Sequence, residues 1–289
     1  MHNNIIKLKY EEIPPQLFEI PQPPLVLYMR GKLPSEEYIY LAVVGSRKHT
    51  SYGKEMCERL IRGLKGYPIV IVSGLARGID SIAHQAALDT GLITISFPGS
   101  GLDDRVLYPQ TNLKLAQQII DRGGCLLSEK EPGFKAMPSS FVQRNRLMAG
   151  ISKAILIIEA EEKSGTLITA RMALDYNRDV LVVPGSALSP NSRGTNRLIR
   201  QGATPITSSD ELLEALGFRI DAIDERTDEE KYADCSKEEK IILELLREPI
   251  ERDELIRQSK METKAANALL SMMEIKELIK EELGEIKRK

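Results

Sequence analysis

Short apolar runs alternate with amphipathic stretches over most of the chain. Six runs are continuously apolar, as strands buried on both faces of a sheet should be: 40–44, 69–73, 92–97, 124–128, 154–159 and 180–183. Stretches of helical periodicity lie at 53–64, 81–90, 112–121, 141–151, 166–176 and 210–216. Alternation of strand and helix predicts an α/β fold with a doubly wound, mostly parallel sheet. Ligands of such sheets bind outside the carboxyl ends of the strands.

The pattern changes on both sides of this region. Residues 1–35 contain six prolines and predict an extended N-terminal arm, so that the α/β domain spans 36–216. Residues 217–235 hold seven acidic and three basic residues with little apolar periodicity, which indicates a linker. Three short helical stretches and a hairpin-like tail at 236–289 predict a small C-terminal winged-helix domain.

Composition narrows the class of protein. No apolar stretch approaches the roughly 18 residues that span a bilayer, and no export signal is visible, so we expect a cytoplasmic protein without a membrane partner. The three cysteines are far apart with no CxxC pair, and the three histidines are scattered. This pattern is typical of a reducing compartment and predicts neither a metal site nor a cofactor built on one.

The basic residues concentrate in the middle of the chain. Residues 135–205 carry ten Lys and Arg against five Asp and Glu, whereas residues 206–289 carry 15 against 23. A basic middle indicates an anion-binding face. The winged-helix region, 236–289, has 12 basic and 13 acidic residues, although a reader of duplex DNA should be basic. We therefore expect this region to contact protein.

Two glycine-containing loops follow the first two predicted strands. Gly45, Ser46 and Arg47 precede a helix start near residues 50–53, where free backbone N–H groups and the guanidinium suit an anion. The second loop carries Ser73, Gly74 and Gly78 at the same edge of the sheet. A tight turn with a capping serine is the alternative for the first loop.

Polar residues also mark three later helix starts. The first holds Phe141, Arg144, Asn145 and Arg146, whose polar side chains could contact phosphates and whose ring could stack on a base. Alternatively, Phe141 belongs to the core and one arginine pairs with Glu129 or Glu159. Two further motifs repeat the anion-binding chemistry, and they are Ser164-Gly165-Thr166 and Arg193-Gly194-Thr195-Asn196.

Enzyme signatures are missing from the sequence. It contains no GxxxxGK[ST] loop, GxSxG elbow, HExxH motif or paired carboxylates. The dinucleotide fingerprint that begins at Gly99 fails at Asp104, where its third glycine belongs. Glu159 is a conceivable general base, but no nucleophile or metal ligand lies near it in the pattern. The sequence predicts a binding protein with no catalytic residue.

The ordered motifs resemble the DNA-processing protein A (DprA, also called Smf) family. The resemblance covers about residues 14–216 and rests on Pro23-Pro24-Leu25, Val44-Gly45-Ser46-Arg47, Ser73-Gly74-Leu75-Ala76-Arg77-Gly78-Ile79-Asp80, Phe141…Arg144-Asn145-Arg146, Ser164-Gly165-Thr166-Leu167-Ile168-Thr169-Ala170 and Gly194-Thr195-Asn196. It implies an extended Rossmann-like core that binds single-stranded DNA and forms a homodimer. It also implies a role in natural transformation, in which the protein protects incoming strands and helps load the RecA recombinase.

The resemblance assigns the DNA-binding residues by position. Gly45, Ser46 and Arg47 would bind phosphate, Ser73, Gly74 and Gly78 would line the adjoining loop, and Lys135, Phe141, Arg144, Asn145 and Arg146 would form the wall. Ser164, Gly165, Thr166 and Asn196 would shape the pocket. The alternative is a Rossmann-like nucleoside-monophosphate phosphoribohydrolase. Its PGGxGTxxE signature has Ser164-Gly165-Thr166 as the nearest analogue here, without the glycine pair or the glutamate.

Overall fold

A computed structural model describes residues 4–35, 37–219, 235–246, 250–276, 278–282 and 284–288. The chain forms two compact units, residues 1–220 and residues 221–289. Most of the predicted acidic linker, 217–235, lies outside the described residues.

The first unit is built on one nine-stranded sheet. Its strands in chain order are β1 (Ile5–Lys7), β2 (Tyr28–Gly31), β3 (Ile39–Val44), β4 (Ile69–Ser73), β5 (Ile93–Ser96), β6 (Cys125–Ser128), β7 (Ala154–Ile157), β8 (Asp179–Val182) and β9 (Thr204–Pro205). In space they follow the order β1-β2-β6-β5-β4-β3-β7-β8-β9, and all pairs from β6 to β9 are parallel.

Within the described residues, seven α-helices accompany this sheet. They are α1 (Ser51–Arg62), α2 (Ile79–Thr90), α3 (Leu113–Asp121), α4 (Pro138–Ile151), α5 (Thr166–Asp175), α6 (Arg193–Arg200) and α7 (Ser209–Ala215). Alternate residues of β3 enter different cores: Leu41 and Val43 pack with α1, α2 and α7, whereas Ala42 and Val44 pack with α4, α5 and α6. Both faces of the sheet are therefore covered, which explains why its strands are apolar throughout.

The proline-rich arm contributes to the sheet. β1 pairs antiparallel with β2, and β2 pairs antiparallel with β6, so the segment extends the sheet beyond its parallel part. Leu8, Ile13 and Leu17 of the same segment are buried in the core that also contains α4. The sequence predicted an arm here because neither strand shows a long apolar run: Ile5–Lys7 has three residues and Tyr28–Gly31 has four.

The strand order reverses beside β3. From β3 the chain moves through β4 and β5 to β6 on one side, and then returns to place β7 and β8 on the other side. The connections after β3 and β7 diverge at such a reversal and leave a crevice between them, which is where doubly wound sheets bind their ligands.

The second unit is a winged helix. It contains α8 (Lys237–Leu245), β10 (Ile250–Glu251), α9 (Arg252–Ser259), α10 (Thr263–Ile275), β11 (Ile279–Glu282) and β12 (Glu285–Arg288). The three strands form an antiparallel sheet in the order β10-β12-β11, and the core includes Ile242, Leu255 and Leu270. The predicted fold class, a Rossmann-like, mostly parallel α/β sheet with a small C-terminal winged-helix domain, is confirmed.

The described residues offer neither a membrane-spanning helix nor a metal cluster. Among them, no helix combines the length and the apolar character needed to cross a bilayer. Nor do they bring three or more His, Cys, Asp or Glu side chains together in a way that could hold a metal ion.

Candidate functional site

A cavity of about 630 Å³ opens where the strand order reverses. Its walls come from the loop after β3, the loop before α2 with the first turn of that helix, the first three turns of α4, and the segment from Glu161 into α5. Residues far apart in sequence meet here because β3 and β7 are neighbours and both end at this edge.

Arg47 is an exposed cation of the loop after β3. Its guanidinium carbon lies 5.3 Å from the centroid of the Phe141 ring, a cation–π contact across the cavity. No ion pair of Arg47 occurs within the described residues. Ser46, in contrast, is buried, and its Oγ accepts a hydrogen bond from the Lys48 amide at 3.0 Å, which fixes the turn. Arg47 therefore keeps its donor groups available to a ligand while the loop that carries it is held.

The start of α1 is already occupied by protein groups. Thr50 Oγ1 accepts from the Gly53 amide at 3.1 Å, and Glu159 Oε2 accepts from the Thr50 amide at 2.9 Å. Thr50 Oγ1 in turn donates to Glu159 Oε1 at 2.5 Å. The prediction of free N–H groups at this helix start is therefore wrong for Thr50 and Gly53. Glu159 is 1% exposed and does not line the cavity, so it positions this loop and is not placed as a general base.

Gly78 supports the Arg47 loop from behind. Its φ of +84° belongs to a region that other residues rarely adopt, and a Cβ there would overlap the Ser46 carbonyl and the Arg47 backbone. The next residue, Ile79, donates its amide hydrogen to the Ser46 carbonyl at 3.2 Å. A glycine is thus required for the second loop to pack closely against the first.

The inner end of the cavity is a buried charged layer. Arg144 is 7% exposed, and its Nη1 donates to the Gly74 carbonyl at 2.6 Å and to the Phe97 carbonyl. Its Nε donates to Asn145 Oδ1 at 3.1 Å. Arg144 thereby joins α4 to the ends of β4 and β5. Asp80, also 7% exposed, supplies the opposite charge from the first turn of α2.

Burial and neighbouring charges set the protonation of this layer. Desolvation raises the pKa of Asp80, while Arg144, the amides of Ala76 and Gly74, and Arg47 act in the opposite sense. Desolvation lowers the pKa of Arg144 to about 10; Asp80 opposes this change and Arg47 adds to it. Arg144 therefore stays charged at neutral pH.

His84 lies in the same layer, one turn beyond Asp80. Burial, with a smaller contribution from Arg144, lowers the pKa of His84 to about 3, so the ring is neutral at pH 7. Its Nδ1 lies 2.7 Å from Thr94 Oγ1, whose own hydrogen is directed to the Ile71 carbonyl at 2.8 Å. This geometry assigns the ring hydrogen to Nδ1, so the His84 side chain ties α2 to β5 in the interior.

The hydroxyl groups of the Ser164-Gly165-Thr166 segment form hydrogen bonds within the protein. Ser164 Oγ accepts from the Thr166 amide at 3.2 Å, and Thr166 Oγ1 donates to the Gly45 carbonyl at 3.4 Å. The segment ties the start of α5 to the end of β3. Space is open beside Gly165, where an added Cβ would meet no atom within 4 Å.

The structure brings together part of the predicted DNA-binding set. Nine of the predicted residues line the cavity: Gly45, Ser46, Arg47, Phe141, Arg144, Asn145, Ser164, Gly165 and Thr166. Six others do not: Ser73, Gly74, Gly78, Lys135, Arg146 and Asn196.

Most of these six hold other parts of the fold. Ser73 Oγ donates to the Val43 carbonyl at 2.6 Å, which ties β4 to β3. Arg146 pairs with Glu129, as the alternative interpretation of this motif had it, and also bonds the Gln22 carbonyl. Asn196 Nδ2 donates to the Gly185 carbonyl at 2.9 Å. Lys135 is exposed on the loop before α4.

The cavity also contains charged residues that the sequence did not single out for binding. Lys48 follows Arg47 on the same loop, while Asp80 and Glu161 are carboxylates of the lining. Lys48 could have been found from its place beside Arg47. Asp80 ends the motif at 73–80, but the resemblance assigned it no role in binding.

Comparisons with known proteins show the family of this chain. The chain matches the family model of DNA recombination-mediator protein A over residues 4–217 and that of the DprA winged helix domain over residues 226–284. It is 38% identical over 219 residues to Protein Smf of Escherichia coli, covering 76% of this chain and 58% of that protein. It is 41% identical over 205 residues to DNA processing protein DprA of Streptococcus pneumoniae, covering 71% of each.

Two solved structures share the fold. The X-ray structure of DNA processing protein A from Streptococcus pneumoniae matches with a TM-score of 0.68 at 38% identity, over 74% of this chain and 75% of that one. The Helicobacter pylori protein matches with a TM-score of 0.66 at 33% identity, over 74% of this chain and 96% of that one. The latter structure was described for its single-stranded DNA binding mode.

Proposed function

The chain belongs to the DNA recombination-mediator protein A family, and we propose that it binds single-stranded DNA in the cavity at the strand ends. The observation that carries the proposal is Arg47: it is exposed at a cavity of about 630 Å³, lies against Phe141, and makes no ion pair within the described residues. The binding mode described for the Helicobacter pylori relative supports the choice of ligand.

Binding would depend mainly on phosphates. Arg47 and Lys48 present exposed charge, and the first of them can bind phosphate oxygens with its forked donors. Aromatic residues make up 5% of the chain and tryptophan is absent, so stacking contributes at few positions. Affinity for a strand held in this way falls with salt, because each neutralised phosphate releases counterions.

The buried residues of the site would shape it without contacting DNA. Arg144 directs its donors to the Gly74 and Phe97 carbonyls and to Asn145, and Ser164 and Thr166 join α5 to β3. Gly78 keeps the second loop against the Arg47 loop. In this proposal Arg47 and Lys48 contact the phosphates, and the residues behind them keep the loop in place.

The biological role proposed here is that of a recombination mediator in natural transformation. The protein would protect incoming single strands in the cytoplasm, act as a homodimer, and help load the RecA recombinase. The family description and the relatives named as DNA processing proteins support this role.

The winged helix is proposed to contact protein instead of duplex DNA. The third helix of such a domain enters the DNA groove in duplex readers. Here the exposed residues of α10 include Ala265, Ala268, Ser271 and Met272, with Lys264 as a basic neighbour. A surface with so little positive charge would gain little from phosphate contacts.

Fluorescence anisotropy with matched single-stranded and duplex oligonucleotides tests the proposal. Between about 50 and 200 mM salt, we expect preference for the single strand, with log affinity falling by roughly 0.7 per phosphate for each unit of log salt. Equal affinity for both forms, or an affinity that does not change with salt, would contradict it.

A further inference from the structure

Phe141 is more enclosed than a free stacking platform would be. The guanidinium of Arg47 lies 5.3 Å from its ring centroid, and a Cβ added to Gly99 would overlap the ring. The ring of Tyr108 lies 5.5 Å away, tilted by 54°. Protein groups therefore already take up much of the Phe141 surface.

Tyr108 is the outer member of this group. It does not line the cavity, yet it touches Phe141, which does. Its side chain is 49% exposed, and its hydroxyl makes no hydrogen bond within the described residues. Arg47, Phe141 and Tyr108 thus form a continuous series from the cavity to the surface, at spacings of 5.3 and 5.5 Å.

The loop that carries Tyr108 is anchored on both sides. The Tyr108 amide donates to Ser100 Oγ at 3.2 Å, and Leu107 is 1% exposed in the core around α3. Gln110 Nε2 donates to the Leu107 carbonyl at 3.0 Å, and Asn112 Nδ2 donates to the Leu75 carbonyl at 2.8 Å. An exposed ring on an anchored loop is pre-organised, so a ligand would not have to order it.

We propose that Tyr108 is an outer stacking subsite for one nucleobase of the bound strand, adjacent to the cavity. The proposal rests on the proposed function, because it needs a single strand whose phosphates are held by the Arg47 loop. A base that leaves the cavity on this side meets the exposed ring of Tyr108, and the π face of any base can stack there. The subsite is accordingly tolerant of sequence.

Salt dependence separates this subsite from the phosphate contacts. Stacking releases no counterions, so replacing Tyr108 should lower the affinity without changing the slope of log affinity against log salt. Alanine substitution at a stacked base costs about 1–3 kcal/mol, which corresponds to roughly 5- to 150-fold in affinity. We expect Tyr108→Ala to weaken binding about tenfold and Tyr108→Phe to leave it unchanged.

Tyr10 provides a matched control. It is 68% exposed, and its ring lies 4.6 Å from that of Phe18, in the segment between β1 and β2. Tyr10→Ala removes a comparable exposed ring that lies against a phenylalanine outside the cavity lining, and we expect it to bind DNA as the unchanged chain does.

The experiment combines these variants with oligonucleotides that carry one abasic position. Anisotropy titrations across a salt series would use the full chain, Tyr108→Ala, Tyr108→Phe and Tyr10→Ala, with Tyr108→Leu replacing Tyr108→Ala should the latter not fold. In the unchanged chain, an oligonucleotide with its abasic position at the subsite should bind about tenfold more weakly than the intact oligonucleotide. In the alanine or leucine variant the two oligonucleotides should bind equally.

The two proposals fail in different ways. Binding by Tyr108→Ala that equals that of the unchanged chain, or an abasic penalty that survives the substitution, would overturn the subsite and leave the proposed function standing. Absence of single-strand binding by the unchanged chain would overturn both. A reduced salt slope in Tyr108→Ala would also overturn the subsite, because it would indicate a lost phosphate contact.

Discussion

Arg47 and Arg144 line the same cavity and have opposite environments. Arg47 is exposed and makes no ion pair within the described residues, whereas Arg144 is 7% exposed and its donors are directed to the Gly74 and Phe97 carbonyls and to Asn145. The first belongs to the rim of the cavity, defined here as Arg47 and Lys48. The second belongs to its buried layer, defined as Asp80, His84 and Arg144. The same side chain is therefore available to a ligand in one place and bonded within the fold in the other.

The difference follows from the cost of burying charge. A buried guanidinium needs hydrogen-bond acceptors and an opposite charge, and its removal leaves those acceptors and that charge unsatisfied. An exposed guanidinium is solvated by water, so its removal leaves no buried group unsatisfied. Substitutions in the buried layer should therefore change stability first, and substitutions at the rim should change binding first.

Arg144→Ala tests the buried layer with the largest expected effect. It removes donors from two carbonyls and leaves the buried Asp80 without its main opposite charge. Leaving a buried acceptor unsatisfied costs about 1–3 kcal/mol, so losing the donors to both carbonyls should lower the free energy of unfolding by about 2–6 kcal/mol. Urea unfolding measures it, and a midpoint equal to that of the unchanged chain would show that the layer is not structural.

The pH dependence of unfolding tests the same layer through His84. The pKa of His84 is lowered from 6.5 to about 3 in the folded chain, so the unfolded chain binds the proton more readily. Stability attributed to His84 is therefore present at neutral pH and is lost as pH falls through 6.5 toward 3. At pH 5 the loss should be about 2 kcal/mol relative to pH 7.

His84→Leu isolates this contribution. The pKa of Asp80 is raised in the folded chain, so its protonation at low pH stabilises the folded state, which is opposite to the effect of His84. Asp80 is present in both proteins, so its contribution cancels in the comparison. The unchanged chain should lose more stability between pH 7 and pH 5 than the variant. Identical pH profiles would exclude a buried neutral His84.

Substitution of Thr50, which holds the loop that carries Arg47 and Lys48, should lower stability less than the two preceding changes. Thr50→Val removes the hydroxyl that accepts from the Gly53 amide and donates to Glu159. Loss of an N-terminal cap costs about 1 kcal/mol, and the loosened loop should lower the single-strand affinity a few-fold. Thr207→Val is the matched control, because Thr207 also donates its hydroxyl to a glutamate, Glu211, at the start of α7. Equal affinities for the two variants would count against this support.

The sequence predicted the fold better than the site. Apolar runs such as 69–73 mark strands buried on both faces, and that signal is local. β1 and β2 were missed because they are short: the edge strand β1 pairs with β2, and β2 pairs with β6, whose residues lie far away in the chain. The partners of an arginine are likewise distant in the chain: Arg146 pairs with Glu129, and Arg144 donates to carbonyls 47 and 70 residues away. A basic motif in the sequence therefore shows that positive charge is present, but it does not show which groups the charge contacts.

The central claim is that the rim binds phosphate and the buried layer does not. Arg47 is exposed, and its cation–π contact with Phe141 is its main interaction within the described residues, so its removal should change the free energy of unfolding by no more than about 1 kcal/mol. Arg62→Ala is the matched control, since Arg62 is an exposed arginine at the opposite end of α1, which is about 18 Å long over its 12 residues.

The most direct test is an anisotropy titration of single-stranded DNA across a salt series with Arg47→Ala and Arg62→Ala. We predict that Arg47→Ala binds about 10- to 100-fold more weakly at low salt, and that its slope of log affinity against log salt is smaller by roughly 0.7. Arg62→Ala should match the unchanged chain. Equal affinity and equal slope for the two variants would contradict the assignment of phosphate binding to the rim.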